Sequence, residues 1–215
     1  KYGLDKPMAE RYFTYISDAA HGDFGDSLKQ RGRTVMDIIA TKFPVSARLG
    51  GMAVVLALCV GVPLGVLAAY KRGTFIDSLF SVIATCGIAV PGFVICTLLL
   101  YVFGVKLQWL PTLGLKSAQS YIMPVIALAA YPTSYIMRLM RSSMLDVLGQ
   151  DYMRTAKAKG LSQKVSLFKH ALRNAILPVI TYVGPMLAYT LTGSFVTEKI
   201  FTIPGLGGEF IKAIN

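Results

Sequence analysis

Asp151 and Gly160 stand nine residues apart and enclose Tyr152, Met153, Arg154, Thr155, Ala156, Lys157, Ala158 and Lys159. These residue types do not make a reaction centre. They make a short helix with a defined start and stop. The Asp151 carboxylate can act as an N-cap, accepting free amide hydrogens of a first turn. Gly160 can end the helix at C′, where a left-handed residue is needed. Lys157 and Lys159 fall in the last turn and complement the helix dipole. Ser162 can cap a second helix running through Leu167, Phe168, Ala171 and Leu172. The chemistry open to such a segment is binding. A short capped helix is either a handle for a partner protein or a basic surface against anionic lipid.

Covalent chemistry finds little to work with. The sequence holds no Ser/His/Asp set, no HExxH, no P-loop and no pair of carboxylates inside an apolar run. His21 and His170 are too isolated to suggest a metal site, so no metal and no cofactor is expected on this chain. Cys59, Cys86 and Cys96 form no CxxC and lie in apolar runs, where they read as small packing residues.

The elements that must position the short helix are written in the charge pattern. The 215 residues are 54% hydrophobic and 15% charged, against about 25% charged in soluble domains. Mean hydropathy is +0.56. Uncharged runs of 22, 28, 21 and 24 residues follow Arg48, Asp77, Lys116 and Arg173. A helix needs roughly 20 apolar residues to cross a bilayer core. The expected fold is an all-α membrane protein, a polytopic bundle with about four spans over 49–70, 79–105, 117–137 and 174–197. The second run is long enough to require tilt or ends outside the core. Each span holds proline: Pro63, Pro91, Pro132, and Pro178 with Pro185. These either kink helices around a pathway or serve packing. Polar residues within the spans, Ser81, Thr85, Tyr131, Ser134, Tyr135, Tyr182, Tyr189 and Thr190, either line a pathway or bond between helices.

Orientation follows from Lys and Arg in the short loops. The loop over 138–173 holds Arg138, Arg141, Arg154, Lys157, Lys159, Lys164, Lys169 and Arg173 against Asp146 and Asp151, and is expected in the cytoplasm. Lys71 and Arg72 then fall inside as well. Residues 1–42, with seven basic and six acidic side chains, read as an extracytoplasmic region with amphipathic pieces such as Glu10 to Ala20. Two outer ends and a first residue that is not Met suggest a further span beyond each end. The net charge of +11 is thus explained by topology. The loop's only candidate stacking aromatics are Tyr152 and Phe168, so no nucleic-acid partner is expected. An ion-coupled secondary transporter usually keeps an ionisable group within the membrane, and none of the four runs contains one.

The run Asp151-Tyr152-Met153-Arg154-Thr155-Ala156-Lys157-Ala158-Lys159-Gly160-Leu161, followed by His170-Ala171-Leu172-Arg173-Asn174-Ala175-Ile176-Leu177-Pro178, resembles the coupling loop of ABC importer permeases. The general importer signature reads Glu-Ala-Ala, three residues, then Gly. Arg154-Thr155-Ala156 replaces Glu-Ala-Ala here, and the Gly to Pro distance is longer. Both departures are usual in the branch for oligopeptides, dipeptides and nickel. His21-Gly22-Asp23-Phe24-Gly25, Phe43 to Gly50, Trp109-Leu110-Pro111 and Ile203-Pro204-Gly205-Leu206-Gly207 are similar to other segments of that branch. The features look most like the oligopeptide permease B-type subunit.

The resemblance implies the type I importer permease fold, with 43–215 as the transmembrane domain and the second to fifth of six helices present. It implies a multi-pass protein of a bacterial or archaeal plasma (inner) membrane. The implied partners are a second permease, two cytoplasmic ATPases that bind ATP and Mg, and an extracytoplasmic peptide-binding protein. Asp151, Tyr152, Arg154, Thr155, Ala156, Lys159, Gly160 and Leu161 are the implied ATPase contacts. The implied cargo is peptide, oligopeptide first, with dipeptide or nickel as alternatives.

Overall fold

The structure, a computed structural model, describes residues 7–162, 165–192 and 194–214. Lys164 of the basic loop lies outside the described residues. The first helix, α1 (Met8–Ala20), buries none of its residues and ends at Gly22, which has φ +85°. The next, α2 (Val35–Tyr70), runs for 36 residues, or about 54 Å at the α-helical rise of ~1.5 Å per residue. That is well beyond the roughly 30 Å of a bilayer core. Its start is fixed by a capping box. The Thr34 hydroxyl accepts from the Asp37 amide at 3.1 Å, and the Asp37 carboxylate accepts from the Thr34 amide at 3.3 Å. The boundary drawn at residue 42 from charge therefore falls inside a helix, because a cap ends a helix and a change in polarity does not.

After a turn at Gly73 come α3 (Phe75–Ala89) and α4 (Gly92–Leu99), the latter continued by a wider π-helical stretch over Leu100–Lys106. The charge-free run expected as one tilted span over 79–105 is thus carried by two helices, bent by 101°. The cause is Pro91. It has no amide hydrogen to continue the ladder, and it pushes the preceding residue out of helical space. Val90 sits at φ −75°, ψ 122°.

A 3-10 turn (Ala118–Tyr121) leads into α5 (Ile122–Leu148), which keeps its course through Pro132 and extends ten residues past Arg138. Then follow α6 (Asp151–Ala158), a π-helical stretch (Ser166–Ala171) with α7 (Leu172–Ala175), α8 (Leu177–Leu191), α9 (Phe195–Ile200) and α10 (Leu206–Ile214). Among the described residues three helical stretches are long and apolar enough to cross a membrane, and four if the bent pair counts as one crossing.

The bundle is organised on the crossing of α2 and α5. A methyl group on Gly61 would lie 2.8 Å from the Thr133 carbonyl, and one on Gly65 would lie 2.6 Å from that of Met137. Small residues here let two backbones meet, the usual way helices associate in lipid. Around the crossing Val54, Ala57, Ile136, Met140 and Met144 form an inner core that also takes in Met153, Ala171, Val179 and Met186. A second core, with Leu49, Ala53, Cys96, Met123 and Phe201, closes the other end.

Replacing glycine by alanine inside a helix ordinarily stabilises it by about 0.5–1 kcal/mol. Gly65→Ala should do the opposite and cost about 1–3 kcal/mol, because backbone on α5 must give way. Gly184→Ala in α8, with nothing within 4 Å, should be neutral or stabilising. Thermal unfolding of the solubilised, assembled protein checks both. A higher melting temperature for Gly65→Ala would refute the close crossing.

Candidate functional site: a docked short helix and a tyrosine-lined cavity

The short helix α6 forms where the residue types require it, with one shift in register. The Gln150 carbonyl accepts from the amides of Met153 (3.1 Å) and Arg154 (3.4 Å), so Gln150 occupies the N-cap position. Asp151, expected as the cap, is the first residue inside the helix. Its carboxylate lies 3.6 Å from the Arg154 guanidinium, and both are exposed. Such a pair adds little, although a carboxylate in the first turn still faces the positive end of the dipole. At the other end the Lys159 amide bonds the Thr155 carbonyl (3.0 Å) and the Leu161 amide bonds that of Ala156 (3.3 Å). With Gly160 at φ +74° this is a Schellman stop. Ser162 caps the following helix: its hydroxyl accepts from the Val165 amide at 3.4 Å.

One face of α6 is committed to its own chain. Met153 is 1% exposed and packs in the inner core, and Ala156, at i+3, is buried too. Ala156, expected among the partner contacts, therefore seats the helix instead, because its register places it on the Met153 side. Arg154, Thr155, Lys159, Gly160 and Leu161 are exposed on the remainder. Tyr152 is exposed as a ring, while its hydroxyl accepts from Asn174 Nδ2 at 3.0 Å.

The stem of the loop is held by a pair that sequence reading passed over. Arg141 of α5 donates from Nε to Asp77 Oδ1 (2.6 Å) and from Nη2 to Oδ2 (2.8 Å). The Gly73 amide adds a third bond to Oδ2 at 3.0 Å. In the sequence Asp77 only bounded a charge-free run. Its signal was an acid at the same end of the bundle as the basic loop.

At the other end Glu198 is 1% exposed. It accepts from the Ser46 hydroxyl (2.7 Å) and the Gly208 amide (3.0 Å), while Ser46 Oγ accepts from the Leu206 amide (2.8 Å). The carboxylate thereby joins α2, α9 and the start of α10. A side chain on Gly205 would run into it. Nothing in the sequence distinguished Glu198 from an ordinary helix-end acid.

Beside the bend at Val90 and Pro91 lies a cavity of about 550 Å³. Tyr131, Tyr182, Tyr189 and Thr190, four of the expected pathway residues, line it, and among the described residues no charged side chain does. Tyr135 stacks behind them, its ring 6.3 Å from Tyr131 and 4.4 Å from Tyr182. The other three do not reach it. Ser134 is buried where α5 meets Gly87, and Thr85 on α3 donates to the Ser81 carbonyl at 2.8 Å. Thr190 satisfies its own hydroxyl on the Met186 carbonyl at 2.8 Å. A larger cleft, about 770 Å³, opens between α2 and the second loop helix. Among the described residues its lining is apolar apart from Tyr70 and Ser162.

The architecture is that of a type I ABC importer permease. An inward-facing MetNI methionine ABC transporter matches with TM-score 0.65 and 17% identity over 82% of this chain and 80% of that one. An amino acid ABC transporter crystallised with histidines gives TM-score 0.59 and 15% identity over 93% and 83%. The family model for the inner membrane component of binding-protein-dependent transport systems matches residues 61–215, and the chain belongs to that family. It is an inner-membrane, multi-pass permease subunit and does not itself hydrolyse ATP. It is 47% identical over 214 residues to the dipeptide transport system permease protein DppB of Bacillus subtilis, covering 100% of this chain and 70% of that protein. It is 43% identical over 218 residues to the oligopeptide transport system permease protein OppB of Salmonella typhimurium, covering 100% and 71%.

The seat of α6 depends on one large side chain. Met153→Ala should cost about 2–5 kcal/mol locally, the range for emptying a buried methionine site. Trypsin cleavage after Arg154 and Lys159 should then rise at least about tenfold, since opening exposes the backbone, while the bundle stays in the membrane. An unchanged cleavage rate would show that α6 is not held by this contact.

Proposed function

We propose that this chain imports peptides as one of two permease subunits of an ATP-driven transporter. An extracytoplasmic binding protein delivers the cargo, and two cytoplasmic ATPases hold the ATP and Mg. The observation that carries the peptide reading is the identity of 47% and 43% across the whole chain with permeases named for dipeptides and oligopeptides. The cavity at the broken span agrees in its chemistry. Its aromatic walls, uncharged among the described residues, suit a backbone with varied side chains. The motifs favour oligopeptides, and the relative at 47% identity favours dipeptides as the second reading.

In this reading the loop over 138–173 faces the cytoplasm and the exposed face of α6 sits in a groove on an ATPase, a helix-in-groove contact. Tyr152 and Leu161 supply apolar contact, and Arg154 and Lys159 meet acidic groups. Asp151, Thr155 and Gly160 shape the ends. Closure of the ATPase pair on ATP pushes α6, and Met153 passes the push to the core it is seated on. The permease chemistry is a shift between two arrangements of the bundle, biased by the nucleotide state of the partner. The tyrosine cavity is the pathway segment.

The reading is tested by reconstituting the complete transporter with its binding protein and measuring uptake of di- to pentapeptides. Uptake should require ATP inside, survive a protonophore, and be competed by unlabelled peptide but not by nickel. Uptake that persists without nucleotide and collapses with the ionophore would refute it.

A second measurement addresses α6. Valine at 160 must enter left-handed space, which costs a β-branched residue on the order of 1 kcal/mol or more. Among the described residues no atom lies within 4 Å of a Cβ placed there, so the expected effect is backbone strain at φ +74°. Gly160→Val should remain in the membrane and lose either ATPase co-purification or uptake. Normal values of both would remove α6 from the mechanism.

A further inference from the structure

We infer that the Asp77–Arg141 pair is the positioning strut through which movement of α6 reaches the broken span. The inference rests on the coupling role proposed for α6 and goes beyond it by naming the route.

Arg141 lies seven residues before the end of α5 and ten before the start of α6. It is next to Met140 and one turn from Met144, which share a core with Met153. A push on α6 therefore bears first on the part of α5 that carries Arg141. From there the guanidinium grips Asp77 with two bonds, at 2.6 and 2.8 Å. A fork on a carboxylate fixes direction as well as distance. An apolar contact between the same helices would permit sliding. Asp77 is only 8% exposed, and its second oxygen also holds the Gly73 amide, so turn, α3 and α5 meet at one carboxylate.

What is gripped is a lever. α3 runs 15 residues, about 22 Å, without proline. Asp77 is in its first turn. Its far end stops at the 101° bend, and Ile88, Val90 and Pro91, at and beyond that end, line the tyrosine cavity. Gly87 lies against Ser134, so α3 also touches α5 near the bend. The strut thus sets the register of a stiff rod. One end answers to the loop and the other is a wall of the pathway. Loss of register would leave ATP hydrolysis intact and waste it.

The test uses the complete transporter in proteoliposomes, reading peptide imported per ATP hydrolysed. ATPase co-purification and melting temperature are read on the same preparation. Asp77→Asn removes the charge while keeping the shape. It should keep the ATPases attached and hydrolysing, with peptide per ATP down about tenfold, as expected for losing a hydrogen-bonded charge. Arg141→Lys keeps the charge without the fork and should fall in between. The exchanged pair, Asp77→Arg with Arg141→Asp, should recover part of the yield. A fall in yield matched by loss of attached ATPase or by a collapse in melting temperature would mean that the pair merely holds the fold, and would overturn the strut. Unchanged yield in Asp77→Asn beside a defective Gly160→Val would overturn the strut alone. Normal behaviour of both variants would overturn the role of α6 with it.

Discussion

Two backbones touch at Gly61 and Gly65 against α5, and most of the structure follows from that contact. In lipid the hydrophobic effect does not press helices together, so close packing must do it. The crossing brings Val54 and Ala57 against Ile136 and Met140, and this pair becomes the wall on which α6, α7 and α8 settle. It also sets where α5 emerges, hence where Arg141 can meet Asp77. α6 is too short to be stable by itself in water. It exists because Met153 finds a core already built.

Charge-free runs exposed the spans, because the bilayer penalises charge and says so in composition. They could not give helix ends. α2 starts at Val35 because Thr34 and Asp37 cap each other there, and α5 continues past Arg138 to Leu148 because a charged side chain does not end a helix. Prolines stand in every span, yet Pro63, Pro132 and Pro185 lie inside continuous helices, while Pro91 separates two helices and Pro178 stands in the first turn of α8. Pro63 and Pro132 lie in helices packed tightly on each other, where the continuous course is worth more than the lost bond. That balance is tertiary and leaves no local mark.

In the loop, glycine at 160 and serine at 162 were legible because each conformation has one preferred residue type. The N-cap was misplaced by one position. The cap bond comes from the Gln150 backbone, which any residue can provide. Ala156 belongs to the motif expected to meet the ATPase, and its i, i+3 spacing from Met153 is what buries it. Of the expected pathway residues, Tyr131, Tyr182, Tyr189 and Thr190 line the cavity, Tyr135 stacks behind them, and Ser81, Thr85 and Ser134 do not reach it. Serine and threonine satisfy themselves on the preceding turn or fill small gaps, whereas a tyrosine ring is too large to hide. Asp77 and Glu198 escaped notice because an acid at the end of a run reads as solvated. Burial, which makes each of them structural, is set by distant elements.

The two ends of the molecule respond differently to the ions around them. Glu198 is enclosed, and its donors are a hydroxyl and an amide. Dissolved salt has no access to that carboxylate and no mobile counter-charge to displace. The Asp151–Arg154 pair and the basic face of α6 are exposed on this chain and open to electrolyte until a partner covers them, and there fields fade within about 8 Å at physiological ionic strength. The union of α2 with the α9–α10 hairpin is consequently indifferent to the salinity of the medium, while the surface of α6 softens as electrolyte rises. A cell holds the composition of its interior far steadier than that of its surroundings. In the orientation proposed for this chain, the salt-proof joint faces the variable side and the salt-sensitive surface faces the regulated one.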